Sequence, residues 1–349
     1  MAGDGPRPGR ARAMSVCVVL VNWRGWRDTL ECLESLFRST GVEFQVLVCD
    51  NDSGDGSLDH VRAWAEGRLD VAVDPSHPLR PLSFPPIPKP VRYACMGREE
   101  AERGGGDGAD APLVLVQTGA NLGFAGGCNV GIRFALSRGA HRYVWLLNND
   151  TVVDPQAMRA LVDAAEADAH AGMIGSTLLF YDDPQTVQAL GLAAYNEWLA
   201  LPRHVRTPED VAALRGGEAR APHGYVVGAS MLVPRPFLDD VGLLNEDHFL
   251  FFEELDWAVR ARGRWGLAHA AASRVFHKEG ASNGGNSAGS GKSLLADYHF
   301  MKNRIVVTRR HFPRRLPSVY LALGVAVARR ALRGEWARAW MILKLCRTT

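Results

Sequence analysis

Runs of apolar residues near the start of the chain alternate with segments of helical periodicity. Residues 15–23, SVCVVLVNW, form a β-branched run with almost no charge, which is typical of a strand covered on both faces. The next segment repeats apolar residues at helical spacing, at Trp26, Leu30, Leu33 and Phe37. A second apolar run follows at 44–50. Two strand–helix units in succession predict an α/β fold with a mostly parallel central sheet.

Residues 74–112 interrupt this alternation. They contain PSHPLRPLSFPPIPKP followed by EEAERGGGDGADAP, and proline and glycine at that density argue against a continued helix or strand. We therefore expect an insertion or surface loop there. Beyond it, the pattern predicts a strand at 113–117, a helix at 129–139, a strand at 143–147 and a helix at 156–168.

Composition limits the class of protein. The 349 residues are 47% apolar, enough for a large core, and a net charge of +2 argues against a dedicated nucleic-acid-binding protein. Six cysteines form no C-x-x-C pair, which favours reduced thiols in a cytoplasmic protein. We expect three segments: a disordered tail at 1–13, one domain at 14–280, and a C-terminal loop with helices at 281–349.

Acidic residues directly follow the second apolar run, in FQVLVCDNDSGDGSLDH at 44–60. An EF-hand starting at Asp50 would need glycine where Asp55 stands and glutamate where Val61 stands, so a calcium loop is excluded. Asp150 in LLNNDT follows another apolar strand. Ligands of open α/β sheets bind at the carboxyl ends of the strands, so these acids predict a nucleotide site with Mg²⁺ or Mn²⁺ on its phosphates.

The glycine-rich turn NLGFAGGCNVG, at 121–131, does not match the dinucleotide-binding pattern G-x-G-x-x-G. Its spacing leaves two interpretations open. The glycines either let the backbone approach a nucleotide or start a helix.

Three carboxylates follow an aromatic block in HFLFFEELDWAVR, at 248–260. Glu253, Glu254 and Asp256 lie beside enough apolar surface to have raised pKa values, which suits a general base. Acids at a helix N-terminus, where they complement the helix dipole, are the structural alternative. His277 ends a short apolar strand, and a lone histidine is more often structural than a ligand.

Taken in order, these segments resemble a family 2 glycosyltransferase of the GT-A fold, close to the bacterial rhamnosyltransferase-like branch. The matching segments are VVLVNWRGWRDTLECLESL, VLVCDNDSGDGS, NLGFAGGCNVGIRFAL, YVWLLNNDTVVDP, YVVGASMLVPR, FLFFEELDWAVR and VFHKEGAS. They run from about residue 15 to 310, interrupted by 74–112. The resemblance implies a Rossmann-like sheet flanked by helices, with a C-terminal helical tail.

By position, the resemblance implies that Asn22 and Asp50 line the nucleotide pocket, with Asp50 facing the base or ribose. It extends the set of nucleotide contacts to Asp52, Asn121, Gly123, Asn129, Asn148 and Asn149. Residues 148–150 occupy the family's D-x-D position, so Asp150 is expected to be the principal metal ligand. Asn148 is the weaker ligand, and His277 matches a histidine of the metal shell.

The reaction implied is sugar transfer from a nucleotide-diphosphate donor, dTDP-rhamnose or a UDP-sugar, with inversion at the anomeric carbon. Glu253 and Glu254 fall on the family's E-D pair, so Glu254 is expected to be the base, with Asp256 in competition. The acceptor would be a glycan or glycolipid in bacterial cell-surface polysaccharide biosynthesis. A sugar nucleotidyltransferase and a catalytically degenerate sugar-binding scaffold are the alternatives.

The last forty residues mix apolar and basic side chains. Leu332, Trp336, Trp340 and Leu343 share one stripe if the segment is a single helix. Such a helix could lie on an anionic membrane surface and place a cytoplasmic enzyme at the inner face of the cell membrane. Packing on the chain's own domain or on a partner in a homodimer explains the stripe equally well.

Overall fold

A mixed sheet forms the centre of the protein in the computed structural model, which describes residues 15–215, 223–278 and 293–349. The strands in chain order are β1 (Val16–Asn22), β2 (Phe44–Asp50), β3 (Tyr93–Gly97), β4 (Leu113–Gln117), β5 (Tyr143–Asn148), β6 (Thr151–Val153), β7 (Ala171–Phe180), β8 (Val187–Leu190), β9 (Leu192–Asn196), β10 (Leu201–His204), β11 (His223–Val226), β12 (Ser230–Pro234) and β13 (Gly266–His277). The expected tail at 1–13 and the stretch 281–292 lie outside the described residues.

Helices cover both faces of this sheet. In chain order they are α1 (Trp26–Leu36), α2 (Ser57–Ala65), α3 (Arg98–Glu102), α4 (Gly123–Arg138), α5 (Ala157–Ala167), α6 (Pro208–Arg215), α7 (Arg235–Val241), α8 (Glu253–Ala261), α9 (Leu294–His311), α10 (Leu316–Leu332) and α11 (Trp336–Thr348). No helix among the described residues is long and apolar enough to cross a bilayer.

The sheet is mostly parallel, as the apolar runs predict. Its order is β3-β4-β2-β1-β5-β12-β7-β13-β6, with β8 paired to β7. β1 pairs in parallel with β2 and β5, β4 pairs in parallel with β2 and β3, and β12 inserts antiparallel between β5 and β7. The carboxyl ends of β2, β1 and β5 therefore lie side by side at one edge.

The glycine-rich turn is the first part of α4, which begins at Gly123 rather than at residue 129. Its glycines bring the helix close to β1. A Cβ at Gly127 would lie 2.8 Å from Val21 Cγ1, and one at Gly131 would lie 2.5 Å from Val19 Cγ1. The sequence left two interpretations of these glycines open, and the structure shows that they start a helix.

The expectation that 74–112 would hold neither strand nor helix was wrong for its second half. β3 extends the sheet as a parallel edge strand on β4, and α3 follows it. The prolines of the segment 74–112 all lie before Tyr93, except Pro112 at its end. β3 therefore contains no proline that would break its pairing with β4. Gln45 of β2 donates through Nε2 to the carbonyl oxygens of Ala109 and Ala111, at 2.8 and 2.6 Å, and fixes the glycine-rich part against the sheet.

The C-terminal helices form a layer on α8. α9 packs against α8, and the hairpin of α10 and α11 packs on α9. The prediction of a single helical stripe was wrong, because the chain turns at Gly334, which has a φ of +75°. Leu332 therefore ends α10, and the two tryptophans belong to α11. Asp297 of α9 accepts hydrogen bonds from Arg330 at 2.7 Å and Arg338 at 3.0 Å, which ties the three helices together.

Gly131→Ala tests the close packing of α4 on β1. Because Val19 is fully buried and cannot move aside, the added methyl should overpack the core and lower the free energy of unfolding by about 1–3 kcal/mol. Gly324 of α10 is the matched control, since nothing lies within 4 Å of an added Cβ, and alanine there should be neutral or stabilising. Thermal unfolding followed by circular dichroism measures both. An unchanged Tm in Gly131→Ala would contradict this packing.

Candidate active site

Three polar side chains form a hydrogen-bonded chain at the carboxyl edge of the sheet. The register places Asn22 opposite Asp50 and Val21 opposite Asn148. Asn22 donates through Nδ2 to Asp50 Oδ1 at 2.6 Å and accepts at Oδ1 from Asn149 Nδ2 at 3.3 Å. The expected convergence of the ends of β2 and β5 is therefore present, with Asn22 between them.

Asp50 is buried, and the chain's own donors engage both of its carboxylate oxygens. Besides Asn22, Ser53 donates to it through Oγ at 2.6 Å and through its backbone N at 3.1 Å. The sequence prediction did not include Ser53, although aspartate and serine are both residues that favour turns. Asp52 is exposed and has a φ of +57°. The carboxylate of Asp50 thus shapes the loop in which Asp52 is presented to solvent.

The side chains of 148–150 point in different directions. Asn149 is buried and donates to Thr29 Oγ1 at 2.9 Å as well as to Asn22, so it braces α1 against the sheet. Asn148 is partly exposed, and its Nδ2 lies 3.4 Å from Nε2 of His277. Asp150 Oδ1 lies 3.3 Å from the same imidazole nitrogen. The three residues expected to bind the metal, Asp150, Asn148 and His277, therefore lie close together.

The Asp150–His277 pair fits a divalent cation. Oδ1 of Asp150 is buried and accepts no hydrogen bond from the described residues. His277 Nδ1 lies 3.1 Å from Oε1 of Gln188, and when Nδ1–H donates there, Nε2 presents its lone pair towards Asp150. Two acceptors about 3 Å apart match adjacent ligand atoms of one Mg²⁺ or Mn²⁺ ion.

Electrostatics keep Asp150 ionised. Burial alone would raise the pKa of this carboxyl, but the charge of a protonated His277 and of Lys278 outweighs burial and holds the pKa below its ordinary value. A bound cation would take the place of that proton on His277 Nε2. Across the described part of the chain, no cluster brings together three or more acidic, histidine or cysteine ligands. A cation here would therefore complete its coordination with water and with substrate oxygens, as Mg²⁺ usually does.

Lys278 connects this site to α1. Its backbone N donates to the carbonyl oxygen of Asp150 at 3.0 Å, and its ammonium group lies 2.6 Å from both Asp28 Oδ1 and Glu31 Oε2. The two carboxylates outweigh the effect of burial and raise the pKa of Lys278 above its ordinary value. The charged lysine thus fixes the end of β13, and with it His277, against α1.

The glycine turn contacts the segment that precedes α8. Gly123 has a φ of +70°, and a Cβ on it would lie 2.3 Å from the carbonyl oxygen of Phe249, so only glycine fits. Phe124 N donates to that carbonyl at 2.7 Å. Asn121 Oδ1 accepts from Gly123 N at 3.0 Å, and Asn51 Nδ2 donates to Gly123 O at 2.8 Å. Asn121 and Gly123 therefore shape the backbone between the carboxyl edge of the sheet and α8.

The expected nucleotide contact of Asn129 needs correction. Its amide is buried and donates through Nδ2 to Leu244 O at 2.9 Å and to Glu246 Oε1 at 2.8 Å. Its Oδ1 accepts from Leu244 N at 3.1 Å. Because α4 directs this side chain into the loop before α8, Asn129 fastens that loop.

Three phenylalanines with left-handed backbone lead into α8. Phe249, Phe251 and Phe252 have φ values of 56°, 70° and 73°, and a non-glycine residue in this region costs about 1–3 kcal/mol. Asn303 of α9 offsets that cost. Its buried Nδ2 donates to the carbonyl oxygens of His248, Leu250 and Phe251, at 2.6, 2.9 and 3.0 Å. No local sequence pattern marks Asn303, since its partners lie more than fifty residues away.

Two glutamates begin α8 with raised pKa values. Glu254 is partly exposed, and its Oε1 accepts from the backbone N of Gly228 at 3.0 Å. Burial raises the pKa of Glu254 above its ordinary value. Glu253 is buried, its Oε2 has no hydrogen-bond partner among the described residues, and burial and the charge of Glu254 raise its pKa further. The next residue after Gly228, Ala229, accepts from Asn148 N at 3.0 Å, so the backbone at 228–229 links Glu254 to Asn148, which lies beside Asp150 and His277.

Asp256, expected to compete with Glu254 as the base, is placed as a structural anchor instead. Its carboxylate is completely buried and accepts from Arg260 Nε at 2.8 Å and from His311 Nε2 at 2.7 Å. Burial alone would raise the pKa of Asp256, but these partners, with His248 3.8 Å away, hold it far below the ordinary range. A carboxylate so firmly ionised and enclosed is a poor proton acceptor.

Comparisons with known proteins agree with this architecture. The mannosyltransferase PcManGT from Pyrobaculum calidifontis, in complex with GDP-Man and Mn²⁺, has a TM-score of 0.50 and 13% identity, and the match covers 96% of this chain and 87% of that one. GalNAc-T7, with UDP, GalNAc and Mn²⁺, has a TM-score of 0.52 and 14% identity, covering 85% and 48%. Both similarities show the fold alone, which is GT-A.

Sequence relatives add the family. The low-salt glycan biosynthesis hexosyltransferase Agl10 of Haloferax volcanii is 26% identical over 148 residues, which make up 42% of this chain and 45% of Agl10. The chain thus covers less than half of that relative's length. The model of the family described as "Glycosyltransferase like family 2" matches residues 107–294, just over half of the chain. The chain therefore belongs to this family, and it has the GT-A fold.

Proposed function

We propose that the protein transfers a sugar from a nucleoside-diphosphate donor to a hydroxyl group of a glycan or lipid-linked acceptor, with inversion and with a divalent cation. The observation that carries the proposal is the buried Asp150 Oδ1 facing His277 Nε2 at 3.3 Å, beside the strand ends that hold Asn22 and Asp50. The solved neighbours with GDP-Man and with UDP support the donor class. A dTDP-rhamnose or UDP-sugar donor is our narrower proposal.

Asp150 and His277, with Asn148 beside them, would hold the cation. When bound, it would supply Lewis-acid stabilisation of the negative charge that develops on the departing diphosphate. The network of Asn22, Asp50 and Ser53 would position the loop that borders the nucleoside. Asn149, whose amide donates to Asn22 and Thr29, would hold Asn22 in place without contacting the nucleoside itself.

Glu254 would act as the general base. It would accept the proton of the acceptor hydroxyl while the oxygen forms its bond to the anomeric carbon and the bond from that carbon to the diphosphate breaks. The electron pair of the broken bond leaves with the diphosphate, so inversion needs no covalent sugar–enzyme bond. Burial and the neighbouring Glu254 raise the pKa of Glu253, which favours its neutral form and would leave Glu254 as the charged member of the pair.

The two alternative interpretations of the sequence have less support. Membership in a glycosyltransferase family sets aside the nucleotidyltransferase interpretation. A degenerate scaffold would not need to keep an ionised Asp150 opposite His277 together with a buried, unpartnered Glu253 Oε2, since an unpaired buried polar group costs stability.

Asp150→Ala tests the cation site. Activity is measured as sugar transfer or donor hydrolysis with Mn²⁺, and we expect at least a ~100-fold loss because the departing diphosphate loses its counter-charge. The thermal shift that Mn²⁺ and a nucleoside diphosphate give the wild type should also vanish. Asp163→Ala, on the exposed side of α5, is the control and should behave as wild type. Full-rate transfer by Asp150→Ala would exclude our metal assignment.

Glu254→Gln and Asp256→Asn distinguish the two candidate bases. Glu254→Gln should lower kcat by about 10²–10⁴-fold while KM for the donor and Tm stay near wild type. Asp256→Asn should lower the free energy of unfolding by about 3–5 kcal/mol, since it breaks a buried ion pair, and leave kcat of the folded fraction largely intact. Comparable turnover in Glu254→Gln would move the base elsewhere.

The pH profile of kcat/KM provides a separate test of Glu254. The base acts as the carboxylate, so activity should fall as pH drops through its pKa. Because burial raises that pKa, the acidic limb should lie clearly above the ordinary glutamate value of 4.5. The residual activity of Glu254→Gln should lack this limb, and circular dichroism at each pH checks that the protein stays folded. A wild-type limb at or below the ordinary value would speak against Glu254.

A further inference from the structure

The outer face of the α10–α11 hairpin exposes large apolar side chains. Leu321, Val325 and Leu332 of α10 are exposed, Leu332 to 89%. On α11, Trp336 is 68% exposed and Trp340 55%, and Leu343 is exposed beside them. We call this set the outer face of the hairpin. Exposed tryptophan is costly in water, so two on one short helix indicate a surface that something covers.

The spacing places each group on one side of its helix. The exposed residues of α10 recur at intervals of four and seven, and those of α11 at intervals of four and three. The opposite sides are buried, through Val319 and Leu323 on α10 and through Ala339, Ile342 and Leu345 on α11. Both helices contact α9, and their buried valine, leucine and isoleucine residues belong to the same core cluster as Ile305 of α9. Their apolar stripes therefore lie on the solvent-exposed side of each helix, away from this core.

The two stripes form one rigid surface. Arg330 of α10 and Arg338 of α11 both donate to the buried carboxylate of Asp297, so the relative position of the two helices is fixed by one acid on α9. α9 is in turn bonded to the segment before α8 through Asn303 and to α8 through His311 and Asp256. Whatever covers the outer face is held at a fixed position relative to Glu254.

Charge distinguishes the two candidates that could cover this face, a second copy of the chain and a lipid bilayer. Residues 309–349 contain ten arginines and lysines and one acidic residue, a net +9, whereas the preceding 308 residues carry a net −7. Exposed basic side chains flank the apolar stripes, at Arg314, Arg329, Arg333, Lys344 and Arg347. A second copy of the chain, packed face to face about a two-fold axis, would bring two such basic segments together and be repelled. An apolar stripe with tryptophans, bordered by arginines, matches the surface of an anionic bilayer.

We propose that the outer face of the α10–α11 hairpin docks on the surface of an anionic lipid bilayer. Trp336 and Trp340 enter the headgroup region, and the flanking arginines lie against the lipid phosphates. This docking does not depend on the transferase activity. If both hold, the enzyme meets a lipid-linked acceptor with its active site at a set height above the membrane.

Vesicle co-sedimentation of the full chain, without donor or metal, tests the proposal. One set of vesicles contains phosphatidylcholine alone, and the other contains phosphatidylcholine and phosphatidylglycerol in about equal amounts. We expect binding to the anionic vesicles that is at least about tenfold tighter than to the neutral ones and that high salt weakens. Equal binding to both, or no binding to either, would overturn the proposal.

Two variants locate the docking face. Trp336→Ala with Trp340→Ala, and separately Arg314→Glu with Arg329→Glu and Arg333→Glu, should each weaken binding to anionic vesicles at least about tenfold. The control variant, Arg68→Glu with Arg92→Glu and Arg103→Glu, makes the same change in charge at exposed sites elsewhere. It should weaken binding to anionic vesicles much less than the hairpin substitutions do. Circular dichroism confirms folding of each variant.

Sedimentation velocity of the wild type and of the tryptophan variant tests the alternative that a second copy of the chain covers the outer face. We expect a monomer in both cases. A dimer that depends on concentration and is lost in the tryptophan variant would assign the face to a second copy and overturn the proposal, as would unchanged vesicle binding in either hairpin variant.

Discussion

The structure depends on one register. β1 pairs with β2 and β5 so that Asn22, Asp50 and Asn148 end at the same edge of the sheet. A shift of one residue would turn every side chain of the shifted strand to the other face. The hydrogen bonds from Asn149 to Asn22 and from Asn22 to Asp50 depend on that alignment. The loops that follow the three strands are thereby held in one arrangement, and Asp150 is carried to its position opposite His277.

A second constraint places the proposed base beside that edge. The segment before α8 is held from one side by Gly123 and Phe124 and from the other by Asn303. Both contacts join backbone atoms of Phe249 and its neighbours, whose left-handed conformations would otherwise be unfavourable. Asp256 anchors the same helix through His311 and Arg260, and Glu254 remains available at the start of α8. The C-terminal helices therefore support the site, and they also carry the apolar outer face of the hairpin with its flanking basic residues.

The sequence predicted the parts of this arrangement that local patterns encode. Apolar strands that end in Asp50 and in 148–150 indicated the ligand edge, because parallel strands place their carboxyl ends together. Partners far apart in the chain could not be predicted. The amide of Asn129 binds Leu244, and Asp256 binds His311, and no local pattern identifies either partner, so both residues were assigned to the wrong task. β3 escaped prediction because an edge strand needs only one neighbour and its surroundings are rich in glycine and proline.

The central claim is that Asp150 and His277 hold the cation of a nucleotide whose nucleoside lies towards Asp50. Anomalous diffraction from crystals grown with Mn²⁺ and a nucleoside diphosphate tests it most directly. We expect one manganese peak within bonding distance of Asp150 and His277, with the diphosphate on the ion and the nucleoside beside the loop after β2. Manganese bound at any other side chains, or a nucleotide away from that loop, would contradict it.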